Sequence, residues 1–217
     1  LAAGVAHEIG NPVTGITCLA QELRAGVPEQ ELPDYAEDIL TEAQRINTIV
    51  QTLVSYAHAG RDSARQPVTV PITEAVAEAE RVVRLSKRAR SVEFRQRIDP
   101  GLCVQGDLQR LVQVFVNLFT NAVDACGEHG TVSVTGVRRH GRAEIRVVDN
   151  GPGIPAGIRD KVMEPFFTTK QVGRGTGLGL PLVYNIIHEH DGELRLRERW
   201  GRQRGTVVLV VLPAIDE

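Results

Sequence analysis

Residues 1 to 57 place their apolar side chains at alternating three- and four-residue intervals, in two successive runs. Ala2, Val5, Ile9, Pro12, Ile16, Leu19 and Leu23 make the first seam. Leu32, Tyr35, Ile39, Glu42, Ile46, Ile49, Leu53 and Tyr56 make the second, with Glu42 its one polar member. Such spacing lines one face of an α-helix. The stretch between them, AGVPEQELP, carries Gly26, Pro28 and Pro33 and breaks the pattern. Two amphipathic helices joined by a tight loop are predicted. A hairpin is too thin to bury both seams, so the spacing points to pairing with a second copy in a four-helix bundle, a homodimer.

Beyond the hairpin the seam is lost. HAGRDSARQPVTV reads as a linker running into a first strand. The pattern then predicts a helix over Thr73–Ala89, strands over Val92–Ile98 and Cys103–Gln105, a helix over Leu108–Cys126 and a hairpin of Thr131–Val137 with Ala143–Val148. A long loop, Asp149–Thr176, precedes a helix over Gly177–His190 and strands over Glu193–Arg199 and Thr206–Leu212. The expected class is α+β: a helical-hairpin dimerisation domain over 1–60, a linker over 61–70 and an α/β sandwich over 71–217. Loops beyond about 15 residues in a compact domain are usually lids or binding segments, so function is expected there.

Composition narrows the classes. The 217 residues are 42% hydrophobic and 24% charged, ordinary globular usage, which excludes a disordered or fibrous chain. The net charge of -2, from 25 Lys+Arg against 27 Asp+Glu, removes the footprint of a general nucleic-acid binder. Cys18, Cys103 and Cys126 are odd in number, far apart and without a CxxC, which fits a reduced, cytoplasmic setting. The longest apolar run, Val207–Leu212, is far short of the ~20 residues of a membrane helix. The sequence opens at Leu1 inside a running helix with no N-cap residue, so a fragment is expected, whose parent chain could carry a membrane anchor.

Four constellations carry chemistry. The first is His7-Glu8-Ile9-Gly10-Asn11-Pro12. With Ala2, Ile9, Ile16 and Leu23 at heptad position a, His7 falls at f and Asn11 at c, one turn apart on the outer face. An imidazole with one nitrogen held by a carboxylate offers the other as a nucleophile, and Glu8 supplies that orienter and proton acceptor. Gly10 and Pro12 soften the helix just past His7. The alternative is a histidine that is merely solvated. In the second, Leu111, Val114, Phe115, Leu118 and Ala122 form an apolar stripe with Asn117 and Asn121 stacked at its border. Asparagine carbonyls can coordinate a hard cation such as Mg²⁺, or can simply cap a neighbouring loop.

Asp149, ending an apolar strand ahead of Asn150-Gly151-Pro152-Gly153, is the third. An ionised carboxylate only accepts, which suits the exocyclic amine of adenine; Asp-Asn-Gly is also common turn chemistry. The fourth, Gly173-Arg174-Gly175-Thr176-Gly177-Leu178-Gly179-Leu180, leads into an apolar helix whose N-terminal N–H groups can approach phosphate. Lys170 and Arg174 are within reach of the same anion, and Phe166 and Phe167 can anchor the loop. It is neither a Walker A sequence nor a dinucleotide fingerprint.

In this order LAAGVAHEIGNP, QVFVNLFTNAVDA, DNGPGI, EPFFTTK and GRGTGLGL resemble the H-box, N-box, first glycine box, F-box and second glycine box of bacterial two-component sensor histidine kinases, over essentially the whole transmitter core. The H-box wording is most similar to nitrogen-regulation-type sensors. The resemblance implies an acceptor hairpin that dimerises, then an ATP-binding sandwich of the GHKL type. It implies autophosphorylation from ATP on His7, phosphotransfer to an aspartate of a response-regulator receiver domain, and phosphatase activity. Glu8 resembles the adjacent base and Asn11 the residue that orients water in dephosphorylation. Asn121 resembles the Mg²⁺ ligand, Asn117 its phosphate-side companion and Asp149 the adenine reader. Gly151, Gly153, Gly175, Gly177 and Gly179 fall on the glycine positions, with Leu178 in the second glycine box, Phe166 in the F-box and Lys170 and Arg174 as lid cations. Thr206, in RGTVVLVVLP, resembles the threonine that holds adenine through water.

Asn117 stands where GHKL ATPases carry a water-activating glutamate, and an amide is a poor base, so steady hydrolysis is not expected. Gly10 and Val13 depart from the usual H-box wording, and the six residues ahead of His7 leave the upper bundle out, so slow autophosphorylation is expected of this fragment. The alternatives are a nucleotide-binding dimeric scaffold without phosphotransfer and a freestanding GHKL ATPase. His188-Glu189-His190 reads as helix C-capping rather than a metal pair, and Arg195, Arg197 and Arg199 read as a solvated sheet face.

Overall fold

Both seams form helices in the computed structural model, which describes the backbone of residues 2–58, 68–127, 129–170, 175–198 and 204–215, and not the side chains of 2–8, 48 and 51–58. They are α1 (Ala2–Ala25) and α2 (Leu32–His58), with a 3-10 turn at Glu29–Glu31 between them. Pro12 and Ile49 are buried, and Ile9, Ile16, Leu19, Leu23, Tyr35, Ile39 and Ile46 are partly covered. The helices run antiparallel: the Tyr35 hydroxyl donates to Glu22 at 2.7 Å, and Glu42 packs over Gly15. Val13, Leu40 and Val50 stay exposed, so the hairpin alone leaves apolar surface uncovered. Pro12 offers no N–H to the Glu8 carbonyl, and the hydroxyls of Thr14 and Thr17 donate back to the Gly10 and Val13 carbonyls at 2.8 Å, a pattern that bends helices.

The chain divides into two compact units, Leu1–His58 with Pro165–Leu178, and Ala59–Glu164 with Gly179–Glu217. The second contains β1 (Val68–Pro71), α3 (Ile72–Val83), β2 (Glu93–Ile98), β3 (Cys103–Gly106), α4 (Leu108–Cys126), β4 (Thr131–Arg139), β5 (Arg142–Asp149), α5 (Gly179–Glu189), β6 (Glu193–Glu198) and β7 (Thr206–Ile215). The seven strands form one sheet in the order β1-β3-β7-β5-β4-β2, with β6 also on β7. Strand β2 runs parallel to β4, and the other pairs are antiparallel.

Alternation drives the packing. Val132, Val134, Ala143, Ile145, Val147, Val208, Val210 and Leu212 point to one face and join Val76, Leu111, Phe115, Phe119, Leu182 and Ile186 of the helices in a single core. Each large side chain buried this way contributes about 1.5–3 kcal/mol. Arg95 and Arg195, on the opposite face, fork onto Glu93 and Glu193 two residues back in their own strands, as expected of a solvated sheet face.

Three predicted boundaries are corrected. The helix expected over Thr73–Ala89 stops at Val83. Leu85 is 79% exposed just past that end, and Ser86 caps a 3-10 turn over Lys87–Ser91 by accepting the Ala89 N–H at 3.3 Å, a side-chain bond that competes with continuing the helix. The helix expected from Gly177 begins at Gly179, because Gly177 has φ +64°. Strand β7 extends past Leu212 to Ile215, where Ala214 and Ile215 pair with Val104 and Cys103.

Candidate functional site

Strands β5 and β7 are antiparallel neighbours, so the end of one meets the start of the other. There lie Asp149 and Thr206, the only buried polar or charged residues among the described residues. A buried carboxylate needs hydrogen-bond compensation. It comes from the main chain: the N–H groups of Gly151 and Thr206 both donate to Oδ1 of Asp149, at 2.9 and 3.1 Å. Two donors on one oxygen leave Oδ2 as the acceptor for a ligand. Asn150 fastens the turn, its Oδ1 accepting the Thr131 N–H at 2.8 Å.

Gly151 fits against the Ala125 carbonyl at the end of α4, and Gly153 against Gly205. Gly205 was not anticipated from the sequence. It has φ +144°, and a Cβ there would stand 2.1 Å from the Asp149 carbonyl oxygen, so no other residue fits. Its signal was the Gly-Thr pair opening β7. The part of Thr206 that the fold uses is its N–H.

Helix α4 is begun by Asp107, whose Oδ1 accepts from the Gln109 and Arg110 N–H groups at 2.9 and 3.3 Å. Its apolar stripe is buried, including Leu111, Val114, Phe115, Leu118 and Ala122, and Asn117 and Asn121 are half-buried at the border. Asn117 donates its amide N–H to the Gln113 carbonyl at 2.9 Å, which turns Oδ1 toward α5. A Cβ on Gly179 would stand 3.1 Å from that Oδ1 and 3.8 Å from Asn121 Nδ2. Asn117, Asn121 and the positive end of α5 therefore converge. Ala125 is one turn beyond Asn121, so α4 links this group to the Asp149 group.

The loop ahead of α5 folds on itself. The Phe166 N–H donates to the Gly177 carbonyl at 3.1 Å with Phe166 at φ +70°, and a Cβ on Gly177 would lie 2.4 Å from the Phe166 carbonyl carbon. Thr168 accepts the Lys170 N–H at 3.1 Å, and Gly175 packs on both residues. Leu178 is buried, its N–H held by Thr176 Oγ1 at 3.3 Å. Arg174 lies outside the described residues. His7 and Glu8 are on α1 with their side chains outside the described set, and Asn11 is exposed.

Beside the Asp149 group is Cys126, whose sulfur donates to the Thr131 carbonyl at 3.8 Å. Burial pushes its thiol above the ordinary range, and the Asp149 charge pushes the same way. Among the described residues no cluster of three or more His, Cys, Asp or Glu could hold a metal. An amide carbonyl beside a helix N-terminus fits instead a hard cation that arrives with phosphate and keeps phosphate and water oxygens as its other ligands.

Two family profiles match the chain: the His Kinase A (phospho-acceptor) domain over residues 1–61, and the histidine kinase-, DNA gyrase B- and HSP90-like ATPase over residues 106–216. Sporulation kinase C of Bacillus subtilis (strain 168) is 32% identical over 222 residues, covering 98% of this chain and 48% of that protein. Sensor histidine kinase ZraS of Escherichia coli (strain K12) is 34% identical over 215 residues, 98% of this chain and 45% of that one. The chain thus spans about half the length of these relatives. Among solved structures, a mycobacterial sensor histidine kinase, MprB, matches with TM-score 0.62 and 30% identity over 70% of this chain and 99% of that one. Histidine kinase ThkA in complex with response regulator protein TrrA matches with TM-score 0.77 and 28% identity over 99% of this chain and 61% of that one. Phospho-acceptor hairpin, GHKL-type sheet and relatives agree: the chain belongs to the sensor histidine kinases and comprises their two-part transmitter core.

Proposed function

We propose that this chain binds ATP at the Asp149 and Asn117–Gly179 groups, phosphorylates His7 and passes the phosphoryl group to an aspartate of a response-regulator receiver domain. The observation that carries this reading is the convergence of Asn117, Asn121 and the N-terminus of α5, one turn of α4 from the turn that fixes Asp149. An acceptor on one oxygen of a buried carboxylate selects the adenine amine, and amide carbonyls with helix N–H groups suit the polyphosphate. Asn121, with Asn117 on the phosphate side, would hold Mg²⁺, which when bound supplies charge neutralisation. To the adenine end we assign Gly151, Gly153 and Thr206, and to nucleotide binding on the phosphate side Gly179 together with, from the family's box pattern alone, Phe166, Lys170, Arg174, Gly175, Gly177 and Leu178.

In the transfer, a nitrogen of His7 attacks the γ-phosphorus, the bond to the β–γ bridging oxygen breaks, ADP leaves and the imidazole proton passes to Glu8. The aspartate carboxylate then takes the phosphoryl group and the imidazole is restored. Asn11, exposed one turn from His7, would orient the water of a phosphatase step. The complex of ThkA with a response regulator supports the choice of partner. We assign 1–60 to acceptor and dimer, 61–70 to the linker and 71–217 to the catalytic domain, with a homodimer covering Val13, Leu40 and Val50. No described helix is long and apolar enough to cross a membrane, and we place this part of the protein in the cytoplasm.

The test is incubation with γ-labelled Mg-ATP of the chain, His7→Gln and Asn121→Ala. Acid-labile, base-stable label on the parent and on neither variant is expected. Nucleotide binding without label, in a chain lengthened upstream, would mark a scaffold instead; steady phosphate release would mark an ATPase.

A further inference from the structure

The far end of the α4–α5 pair is locked by one imidazole. The Asp107 N–H donates to Nε2 of His190 at 3.2 Å, and Nδ1 of the same ring lies 2.7 Å from the Ile186 carbonyl, one turn back in α5. An N–H only donates, so Nε2 presents its lone pair and the ring proton sits on Nδ1, bonded to Ile186. Arg110, in the first turn of α4, pairs with Glu189 beside the ring. Gly106 leaves the space: a Cβ there would stand 2.5 Å from Cδ2 and 2.6 Å from Nε2 of His190.

The same two helices meet again at Asn117 and Gly179. From Asp107 to Asn117 is 10 positions along one chain segment, and from Gly179 to His190 is 11 along the other, the signature of an antiparallel pair in constant register. Helical backbone is stiff over that span of roughly 15 Å, at about 1.5 Å per residue, so an axial slip at one end appears at the other. We propose that His190 is a positioning residue for the phosphate end of the site. By fixing α4 against α5 it sets how far Asn117 and Asn121 stand from the α5 N-terminus. This inference rests on the reading of those residues as the cation and phosphate end. Asp149 and Thr206 are held by the strands and by the Ala125 end of α4, so a slip of α5 against α4 leaves them in place.

The experiment compares the chain with His190→Ala, His190→Gln, His190→Asn, Gly106→Ala and Gly106→Ala/His190→Ala. Binding of ATP with and without Mg²⁺, binding of adenosine and melting temperature are measured for each. His190→Ala should cut the Mg²⁺-dependent gain in ATP affinity roughly tenfold, the lower end of what losing a support behind cation-holding residues costs, and leave adenosine binding unchanged. Gln, whose amide oxygen can take the Asp107 N–H, should restore most of the gain; Asn, which reaches only Ile186, should not. Gly106→Ala should reproduce the loss by displacing the ring, and the double variant should be no worse than His190→Ala alone. A lower melting temperature with the Mg²⁺-dependent gain intact, or additive effects in the double variant, would reduce His190 to a helix cap and overturn the inference. Absence of any Mg²⁺-dependent gain in the parent chain would overturn the site reading and this inference together.

Discussion

Asp149 and Thr206 stand 57 positions apart in the chain and meet at 3.1 Å, the N–H of one donating to the carboxylate of the other. The Asp149 carboxylate is thus aimed by strand pairing and not by its own rotamer alone. Asp149→Asn keeps an oxygen for the two main-chain donors and replaces the second oxygen with an N–H donor. Expected is a small change in stability, within about 1 kcal/mol, and a loss of ATP affinity of about 1.5–3 kcal/mol, the worth of a hydrogen bond to a charged group. Urea unfolding and titration calorimetry read the two separately.

Gly205→Ala should fail for another reason. Its Cβ would collide with the Asp149 carbonyl at 2.1 Å in a backbone conformation that L residues rarely adopt. A stability loss on the order of 1–3 kcal/mol is expected, with ATP binding lost through displacement of Asp149. Gly157, with nothing within 4 Å of a built Cβ, is the control, and its Ala variant should unfold within about 0.5 kcal/mol of the parent.

Phe119 is fully buried and meets Phe94 edge-on at 5.7 Å. Phe119→Ala should cost about 3–5 kcal/mol in denaturant unfolding. A cost near 1 kcal/mol would mean that the α4–sheet contact collapses around the gap.

Cys126 gives the pH prediction. Burial raises its thiol, so the fold favours the protonated form. Its contribution to stability is full below the ordinary thiol value of about 8.5 and is lost as pH rises through the raised one. Iodoacetamide at pH 8 should therefore modify exposed Cys18 well before Cys126, with buried Cys103 slowest. Cys126→Ala should flatten the alkaline fall in melting temperature, and an unchanged alkaline limb would refute the assignment.

Much of this was legible in the sequence because its patterns are regular. Helix α4 has the bounds Leu108–Cys126 that its hydrophobic pattern predicts, and the seam through Ile9, Pro12, Ile16, Leu19 and Leu23 is the covered face of α1. Failures fell where non-local geometry decides. Nothing local to Leu85 says that it faces solvent, and Gly177 looks helical until Phe166 packs back on it. Gly205 is set by a carbonyl 56 residues earlier, and His190 by Asp107, relations that no window along the chain contains. The residues that gather at the α4–α5 contact and the β5–β7 end could be picked out along the chain; how each side chain is turned could not, because that depends on partners such as the Gln113 carbonyl that turns Asn117.

Strand β7 pairs with β5 along one edge and with β6 and β3 along the other. Of the described strands it is also the latest to be translated. From the end of β5 at Asp149 to the end of β7 at Ile215 is 66 residues, which a ribosome takes roughly 3–13 s to add at about 5–20 residues per second. Until β7 is made the nascent chain carries β5 with one edge unpaired, and neither the β1–β3 pair nor, once translated, β6 has a strand through which to join the sheet. Chaperone engagement should therefore peak late in synthesis. A nonsense change or proteolytic cut ahead of Thr206 would not trim a tail but would remove the seam on which three strands close.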